Sequence, residues 1–164
     1  MIAPESDPQF ETVSVDETKL GSFQVRVSAG TWGFLADEPI DAGGLASGPS
    51  PYGLLSAALG SCSLMTMRLY ANRKKWPLED IHVEVTHYRN ESRSADSFLK
   101  QIRLVGILDN SQRAKLLEIA ARCPVHTTLS RGSEIRTVLL PDDSEHLPAA
   151  ERSQHARDMS ETCE

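Results

Sequence analysis

Residues Gly48–Thr66 read GPSPYGLLSAALGSCSLMT, a helix start followed by a cysteine within an apolar stripe. Ser50 is a favoured capping residue, and Pro51 suits the first helical position because the N–H that proline lacks would be unpaired there. We expect the helix to run to about Lys75, since Pro77 disfavours helical backbone in the residue before it. The residues of its predicted buried face recur at three- and four-residue spacings. That face contains Leu55, Ala58, Leu59, Cys62, Met65, Thr66 and Leu69.

Residues Arg122–Leu129 read RCPVHTTL and contain a second cysteine. Upstream, Asp109 stands three residues before Gln112, a pattern that resembles a capping box and predicts a second helix. Pro124 is expected to end that helix. Its apolar stripe contains Leu116, Ile119, Ala120 and Cys123. Two thiols on two such stripes can meet inside a folded core, although a lone cysteine there usually only fills space.

Alternation of apolar and polar residues predicts six strands around the two helices. They lie near Phe10–Glu17, Ser22–Ser28, Trp32–Ala36, Ile81–Tyr88, Phe98–Leu108 and Glu134–Leu140. Gly30 is expected to turn the chain into the third strand, and residues 39–51, rich in Gly, Ala, Ser and Pro, are expected to form a loop. The predicted order is βββ-α-ββ-α-β, an α+β fold in a single domain of residues 1–140. Residues 141–164 are polar and acidic, and we expect a flexible tail in which Cys163 is a solvent-exposed bystander.

Composition narrows the class of protein. Three cysteines are too few for a secreted disulfide framework, and neither a signal peptide nor an apolar run of membrane-spanning length is visible. We therefore expect a cytoplasmic protein without membrane contact, whose cysteines rest as thiols. The net charge is −6, and residues 141–164 hold seven acidic and two basic residues. The nearly neutral remainder gives no indication of nucleic-acid binding.

Two adjacent thiols can carry out the reaction of a thiol peroxidase. A thiolate attacks the O–O bond of a hydroperoxide and becomes a sulfenic acid, which a second thiol converts to a disulfide before further oxidation. The attacking cysteine needs a nearby cation or hydrogen-bond donor, because an apolar site alone raises its pKa.

Three other interpretations stay open on the residues alone. Both cysteines can be inert core residues. Cys123 and His126 have Cys-x-x-His spacing, so with Cys62 they can supply three ligands to a metal. A Cys–His hydrolase is the third interpretation, but no orienting third residue is evident. His126 otherwise orients the turn after the helix or faces solvent.

The two cysteine segments together resemble the OsmC/Ohr family, the osmotically inducible protein C and organic hydroperoxide resistance proteins. Gly48–Thr66 is similar to the family's first cysteine motif, and Arg122–Leu129 to its second, Cys-Pro-Val-His followed by a hydrophobic residue. The resemblance implies an α+β fold in which antiparallel sheets wrap long central helices in an intertwined homodimer. It also implies reduction of organic hydroperoxides, with Cys62 as the reactive cysteine, Cys123 as the resolving cysteine and an external lipoyl-type dithiol as reductant.

The sequence departs from this family in two places. Tyr52 follows Pro51 where members with strong peroxidase activity carry a glutamate, so Glu38 is the candidate supporting carboxylate. No arginine stands clearly in the first hairpin, where the family places one that helps to ionise the reactive thiol. Lys19 is closest by position and Arg26 lies a few residues on. A lysine lowers a thiol pKa as a point charge, without the two-point contact of a guanidinium.

We therefore predict a homodimeric thiol peroxidase that reduces organic hydroperoxides, with hydrogen peroxide as a further candidate substrate. It needs no metal or organic cofactor. The alternative is a non-catalytic module of the same fold that binds a small lipophilic ligand at the dimer interface. Retention of both cysteines favours the enzyme, whereas the missing glutamate and the displaced arginine favour the binding module.

Overall fold

The structure is a computed structural model that describes residues 12–89, 95–139, 159 and 161–163. Residues 141–158, 160 and 164 of the predicted tail lie outside the described residues, as do Leu140 of the last predicted strand and residues 10–11 of the first. The chain forms two compact units. The first comes from residues 1–50 and 134–154, and the second from residues 51–133 and 155–164. The expectation of one domain over residues 1–140 stays a prediction.

The first unit contains a three-stranded antiparallel sheet. Its strands are β1 (Ser14–Glu17), β2 (Val25–Ala29) and β3 (Trp32–Ala36), in the order β1-β2-β3. Gly30, at a φ of 55° that favours glycine, turns the chain between β2 and β3 as the sequence predicts. Val27 stands opposite Val15 and Phe34, so one face of the sheet is mainly apolar. After β3, a short 3-10 helix at Ile40–Ala42 interrupts the predicted loop.

The second unit packs helices against a β-hairpin. Helix α1 (Pro51–Lys74) is followed by strands β4 (Leu78–Tyr88) and β5 (Ser97–Gly106), which pair antiparallel. Helices α2 (Asn110–Ala120) and α3 (Pro124–Arg131) follow. The main core joins α1, β4 and α2. Its buried members are Met67, Tyr70, Ala71, Leu78, Ile81, Leu116, Ile119, Ala120 and Cys163.

Local sequence signals account for most of these boundaries. Pro51 begins α1, and Asp109 with Gln112 forms the predicted capping box at the start of α2. Gly60 lets α1 approach β4, because a Cβ at that position would lie 3.3 Å from a methyl carbon of Val85. The predicted α+β class with antiparallel sheets is therefore confirmed. No helix in the described part of the chain has the length and apolarity needed to cross a membrane.

The buried face of α1 differs from the predicted stripe. Leu59, Cys62 and Thr66 are buried as expected, but the face also includes Ser63, Met67, Tyr70 and Ala71. Leu55 and Met65 are 41% and 49% exposed. Apolar and small residues occupy several faces of this helix, so their spacing alone does not determine which of them point into the core.

The interpretation of Pro124 as only a helix terminator is wrong. Helix α2 ends at Ala120, and Pro124 occupies the first turn of α3, a position where its missing N–H is harmless. Cys123 is therefore the N-cap of α3, not a residue of the α2 stripe.

The predicted last strand is also absent from the described residues 134–139, which have no regular secondary structure. Ile135, Val138 and Leu139 are 87%, 79% and 98% exposed. Alternating apolar residues form a strand only where a neighbouring edge supplies hydrogen bonds and covers one face, and this segment pairs with no described strand.

The prediction of a solvent-exposed Cys163 is wrong as well. Its side chain is buried with Met67 and Tyr70, and its S–H donates to the Thr66 carbonyl oxygen at 3.6 Å. Burial raises the pKa of this thiol. The polar surroundings in the sequence give no sign of this packing, which depends on a tertiary contact with α1.

Candidate functional site

Cys62 and Cys123 meet in a small apolar cluster of the second unit. Cys62 lies in the middle of α1 and Cys123 at the N-cap of α3, and their exposures are 1% and 0%. The two side chains pack in one cluster and shift each other's pKa, and both cysteines are free thiols. The cluster also contains Leu59, with partly buried Val85, Phe98, Val125 and Leu129 around it. The structure thus brings together the two residues on which the predicted chemistry depends.

The N-terminus of α3 faces both sulfur atoms. The Val125 N–H donates to the Cys62 Sγ at 3.4 Å, and the His126 N–H helps to lower the pKa of Cys123. The first N–H groups of a helix have no partner within the helix and carry the positive end of its dipole. This helix end therefore stabilises a negative charge on the cysteine pair.

A serine and a lysine complete the polar side of the pair. Ser63, fully buried on α1, places its Oγ 3.3 Å from the Cys123 Sγ. The Lys100 Nζ, from β5, donates to the Ser63 Oγ at 2.9 Å and to the Ala120 carbonyl oxygen at 2.6 Å. An ammonium group is thereby linked through one hydroxyl to a cysteine sulfur.

The two thiols respond to this environment in opposite directions. The hydrogen bond from Cys62 and the Ser63 hydroxyl outweigh burial and lower the pKa of Cys123 to about 5. The same hydrogen bond, together with burial, raises the pKa of Cys62. Burial lowers the pKa of Lys100, whereas negative charge on the cysteines raises it. The arrangement therefore favours one shared proton, with the negative charge on Cys123 and the proton on Cys62.

A pocket of about 210 Å³ lies beside the pair. Its lining combines apolar side chains of the cysteine cluster with polar groups: Leu59, Asp96, Phe98, Lys100, His126, Leu129 and Ser130. Burial, and then the charge of Lys100, lower the pKa of His126, which favours its neutral form. A larger depression of about 680 Å³ runs along α3 at Arg122, Thr127 and Arg131. No residue of the cysteine cluster lines it, whereas Leu59, Phe98 and Leu129 of that cluster line the smaller pocket.

Tyr52, at the position of the family's glutamate, belongs to a neighbouring polar cluster. Its ring stacks on His87 with centroids 4.0 Å apart, and its hydroxyl accepts from the Arg89 guanidinium at 3.1 Å. Asp96 receives three hydrogen bonds from Arg89, at 2.6, 2.8 and 3.0 Å, and lies 2.8 Å from the His87 Nε2. His87 and Arg89 lower the pKa of Asp96.

The three predicted supporting residues lie in the first unit. Lys19 forms an exposed ion pair with Glu17, and Arg26 stands opposite Asp16 in the β1–β2 register. The backbone N–H of Glu38 donates to a carboxylate oxygen of Asp37, while the Glu38 side chain has no described partner. Their proposed roles beside Cys62 stay predictions.

The metal interpretation depends on Cys62, Cys123 and His126 acting together. Among residues 12–89 and 95–139, no three or more His, Cys, Asp or Glu side chains form a group suited to a metal ion.

Lys100 and Ser63 are the site residues that sequence reasoning missed. Lys100 has the same strand parity as Phe98, Ile102 and Leu104, so it points toward the covered side of β5. A lysine in phase with apolar residues was the available signal. Ser63 directly follows Cys62, and a serine at that position gave no separate signal in the sequence.

Solved structures share this fold. A candidate osmotic stress induced and detoxification response protein from Psychrobacter arcticus is 22% identical, with a TM-score of 0.65 and a match covering 74% of this chain and 90% of that one. The organic hydroperoxide resistance protein OsmC from Legionella pneumophila is 19% identical, with a TM-score of 0.58 and coverage of 76% and 91%. OhrB of Bacillus subtilis is 19% identical, with a TM-score of 0.51 and coverage of 73% and 90%.

Sequence comparison agrees with the structural likeness. A search of curated proteins finds no match. The family model described as OsmC-like protein matches residues 43–138, which is more than half of the chain and includes both cysteine segments. The chain therefore belongs to the OsmC-like protein family.

Proposed function

We propose that this protein is a cysteine-based peroxidase that reduces organic hydroperoxides, with hydrogen peroxide as a further candidate substrate. The observation that carries the proposal is the packing of two buried free thiols, which shift each other's pKa, in one cluster beside a small pocket. Membership of the OsmC-like family supports it, because structures of the same fold include organic hydroperoxide resistance proteins.

The proposed reaction begins with the thiolate of the pair. When the shared proton moves from Cys62 to Cys123, the Cys62 sulfur attacks the terminal oxygen of the hydroperoxide. The S–O bond forms, the O–O bond breaks, and the departing alkoxide takes up a proton to give the alcohol. Cys123 then attacks the Cys62 sulfenic acid, which releases water and leaves a disulfide. An external dithiol, of the lipoyl type or another, reduces the disulfide by exchange.

The surroundings of the pair suit this sequence of steps. The N-terminus of α3 and the Ser63 hydroxyl stabilise a thiolate that burial alone would disfavour. The apolar wall of Leu59, Phe98 and Leu129 suits the organic part of a hydroperoxide. Lys19, Arg26 and Glu38 remain proposed contributors, as the family resemblance suggests.

The assembly that we propose is a cytoplasmic homodimer. Its support is the apolar surface left open on the single chain, where Trp32 is 50%, Val15 58% and Leu139 98% exposed. Apolar surface of this kind is typical of regions that a partner covers. Light scattering at micromolar concentration tests the dimer.

The alternative, a non-catalytic module that binds a lipophilic ligand, has weaker support. Pockets for drug-sized ligands usually measure about 300–1,000 Å³, and the pocket beside the cysteines is smaller, about 210 Å³. The close approach of two thiols has no use in such a module.

The test is hydroperoxide consumption with dithiol reductants. Wild type should turn over, Cys62→Ser should be inactive because its hydroxyl is a poor nucleophile near neutral pH, and Cys123→Ser should react once and then stop. Cys163→Ser is the matched control and should keep its activity, since this thiol lies in the other core cluster. Normal turnover by Cys62→Ser would contradict the proposal.

A further inference from the structure

We propose that Lys100, acting through Ser63, is the positioning residue that holds the negative charge of the Cys62–Cys123 pair. The inference rests on the proposed peroxidase function and gives a role to a residue that neither cysteine motif contains. It is drawn from the position of a half-buried ammonium that faces two thiols.

The surroundings of Lys100 leave its charge without a carboxylate partner. Its two hydrogen-bond acceptors are neutral, the Ser63 hydroxyl and the Ala120 carbonyl. In the ranges 12–89 and 95–139, no acidic side chain forms an ion pair with it. A desolvated cation is costly unless an anion or a set of hydrogen bonds compensates it. The groups on hand to supply that anion are the two cysteines.

The other titratable groups near Lys100 do not compete for this role. His126, on α3, is shifted toward its neutral form by burial and by Lys100 itself. Asp96, which precedes β5 and lines the same pocket, is already bound by Arg89 and His87. Cys62 on α1 and Cys123 at the start of α3 remain as the groups whose ionisation responds to the lysine.

Ser63 connects the two charges. Its hydroxyl has one proton and three acceptors within reach, the Leu59 carbonyl oxygen at 2.8 Å, the Cys123 sulfur at 3.3 Å and the Ala120 carbonyl oxygen at 3.5 Å. The Lys100 Nζ donates to the same oxygen, which strengthens the hydroxyl as a donor. When Cys123 is a thiolate, the proton turns toward sulfur. The hydrogen-bond chain then runs from ammonium to hydroxyl to thiolate.

The test is a pH titration of the thiolate by its ultraviolet absorbance, in protein that carries Cys163→Ser so that only the pair reports. This readout needs neither peroxide nor reductant. The parent should half-titrate near pH 5. Lys100→Met should move the midpoint up by about one unit or more, toward the ordinary thiol value of about 8.5. Lys100→Arg should stay near the parent, because it restores the charge.

The matched control is Arg103→Met, which removes a cation from an exposed position of the same strand. It should leave the midpoint unchanged. If Lys100→Met does not fold, Lys100→Gln keeps an N–H donor without the charge and should show the same upward shift. An unchanged midpoint in a folded Lys100→Met or Lys100→Gln protein would overturn the inference.

Hydroperoxide consumption by the same proteins separates this inference from the proposed function. A Lys100-dependent midpoint in a protein that consumes no hydroperoxide would leave the inference standing and refute the peroxidase. Turnover that Lys100→Met does not change, together with an unshifted midpoint, would refute the inference about Lys100 and leave the peroxidase standing. With both proposals correct, a one-unit rise of the midpoint in Lys100→Met should slow turnover about twofold at pH 6, because the thiolate fraction there falls from about 0.9 to about 0.5.

Discussion

Arg89, directly after β4, and Lys100, within β5, are cations of one hairpin with different surroundings. Arg89 is exposed and gives three hydrogen bonds to the Asp96 carboxylate. Lys100 is half-buried, and among the described residues its acceptors are a hydroxyl and a carbonyl. The charge of Arg89 is thus balanced by a permanent anion. The charge of Lys100 is balanced only when a neighbouring thiol ionises, and this difference separates a structural cation from one that acts on the chemistry.

Charge reversal at Lys100 should produce the largest effect. In Lys100→Glu a carboxylate lies beside the cysteine pair, and like charges disfavour each other's ionisation. We expect the thiolate midpoint to rise by at least about two units and hydroperoxide reduction at pH 6 to fall at least about tenfold. Thiolate titration and turnover measure this, and Arg103→Glu on the exposed side of β5 is the control. Equal effects of Lys100→Glu and Arg103→Glu would mean that the net charge of the protein, not the position of Lys100, sets the thiolate midpoint.

Removal of the connecting hydroxyl should have an intermediate effect. Ser63→Ala leaves Lys100 in place but breaks its hydrogen-bonded link to Cys123, so the thiolate loses a donor while the longer-range attraction remains. We expect the midpoint to rise by less than in Lys100→Met. Ser61→Ala is the matched control, because Ser61 is an exposed serine of the same helix whose hydroxyl donates to the Ala58 carbonyl. A Ser63→Ala midpoint equal to that of the parent would contradict the proposed role of Ser63 as the link between Lys100 and Cys123.

Loss of the exposed cation should have the smallest effect on the thiols. His87 and Arg89 hold the pKa of Asp96 below its ordinary value. Stabilisation by this carboxylate is therefore present above the ordinary carboxyl pKa and is lost as the pH falls through its lowered value. Arg89→Met should raise the Asp96 pKa and lower the Tm slightly at neutral pH, and the Tm difference should vanish in acid. Thermal melts at several pH values check this. A shifted thiolate midpoint in Arg89→Met would mean that Arg89 also acts on the cysteine pair and would contradict the proposed difference between Arg89 and Lys100.

Local signals in the sequence predict much of the fold. The capping box at Asp109, the proline start at Pro51 and the alternation through β4 and β5 each depend on neighbouring residues and reappear in the structure. The turn at Gly30 does so too. The family resemblance then added the expectation that Cys62 and Cys123 meet.

Features that depend on distant contacts could not be predicted in this way. Pro124 is compatible with both the end of one helix and the start of the next, and only the packing of the chain selects the second. Cys163 is buried by α1, about which its polar sequence neighbours say nothing. Lys100 was given no role from the sequence, although its position in the strand places it beside the thiols.

Intact mass and peptide mapping after one equivalent of an organic hydroperoxide, without reductant, test most directly whether Cys62 and Cys123 act as one redox pair. Wild type should lose two hydrogen atoms, and the two residues should become linked by a disulfide. Cys123→Ser should instead gain one oxygen atom on Cys62. Recovery of both cysteines as unmodified thiols, or oxidation of each one separately, would contradict the account.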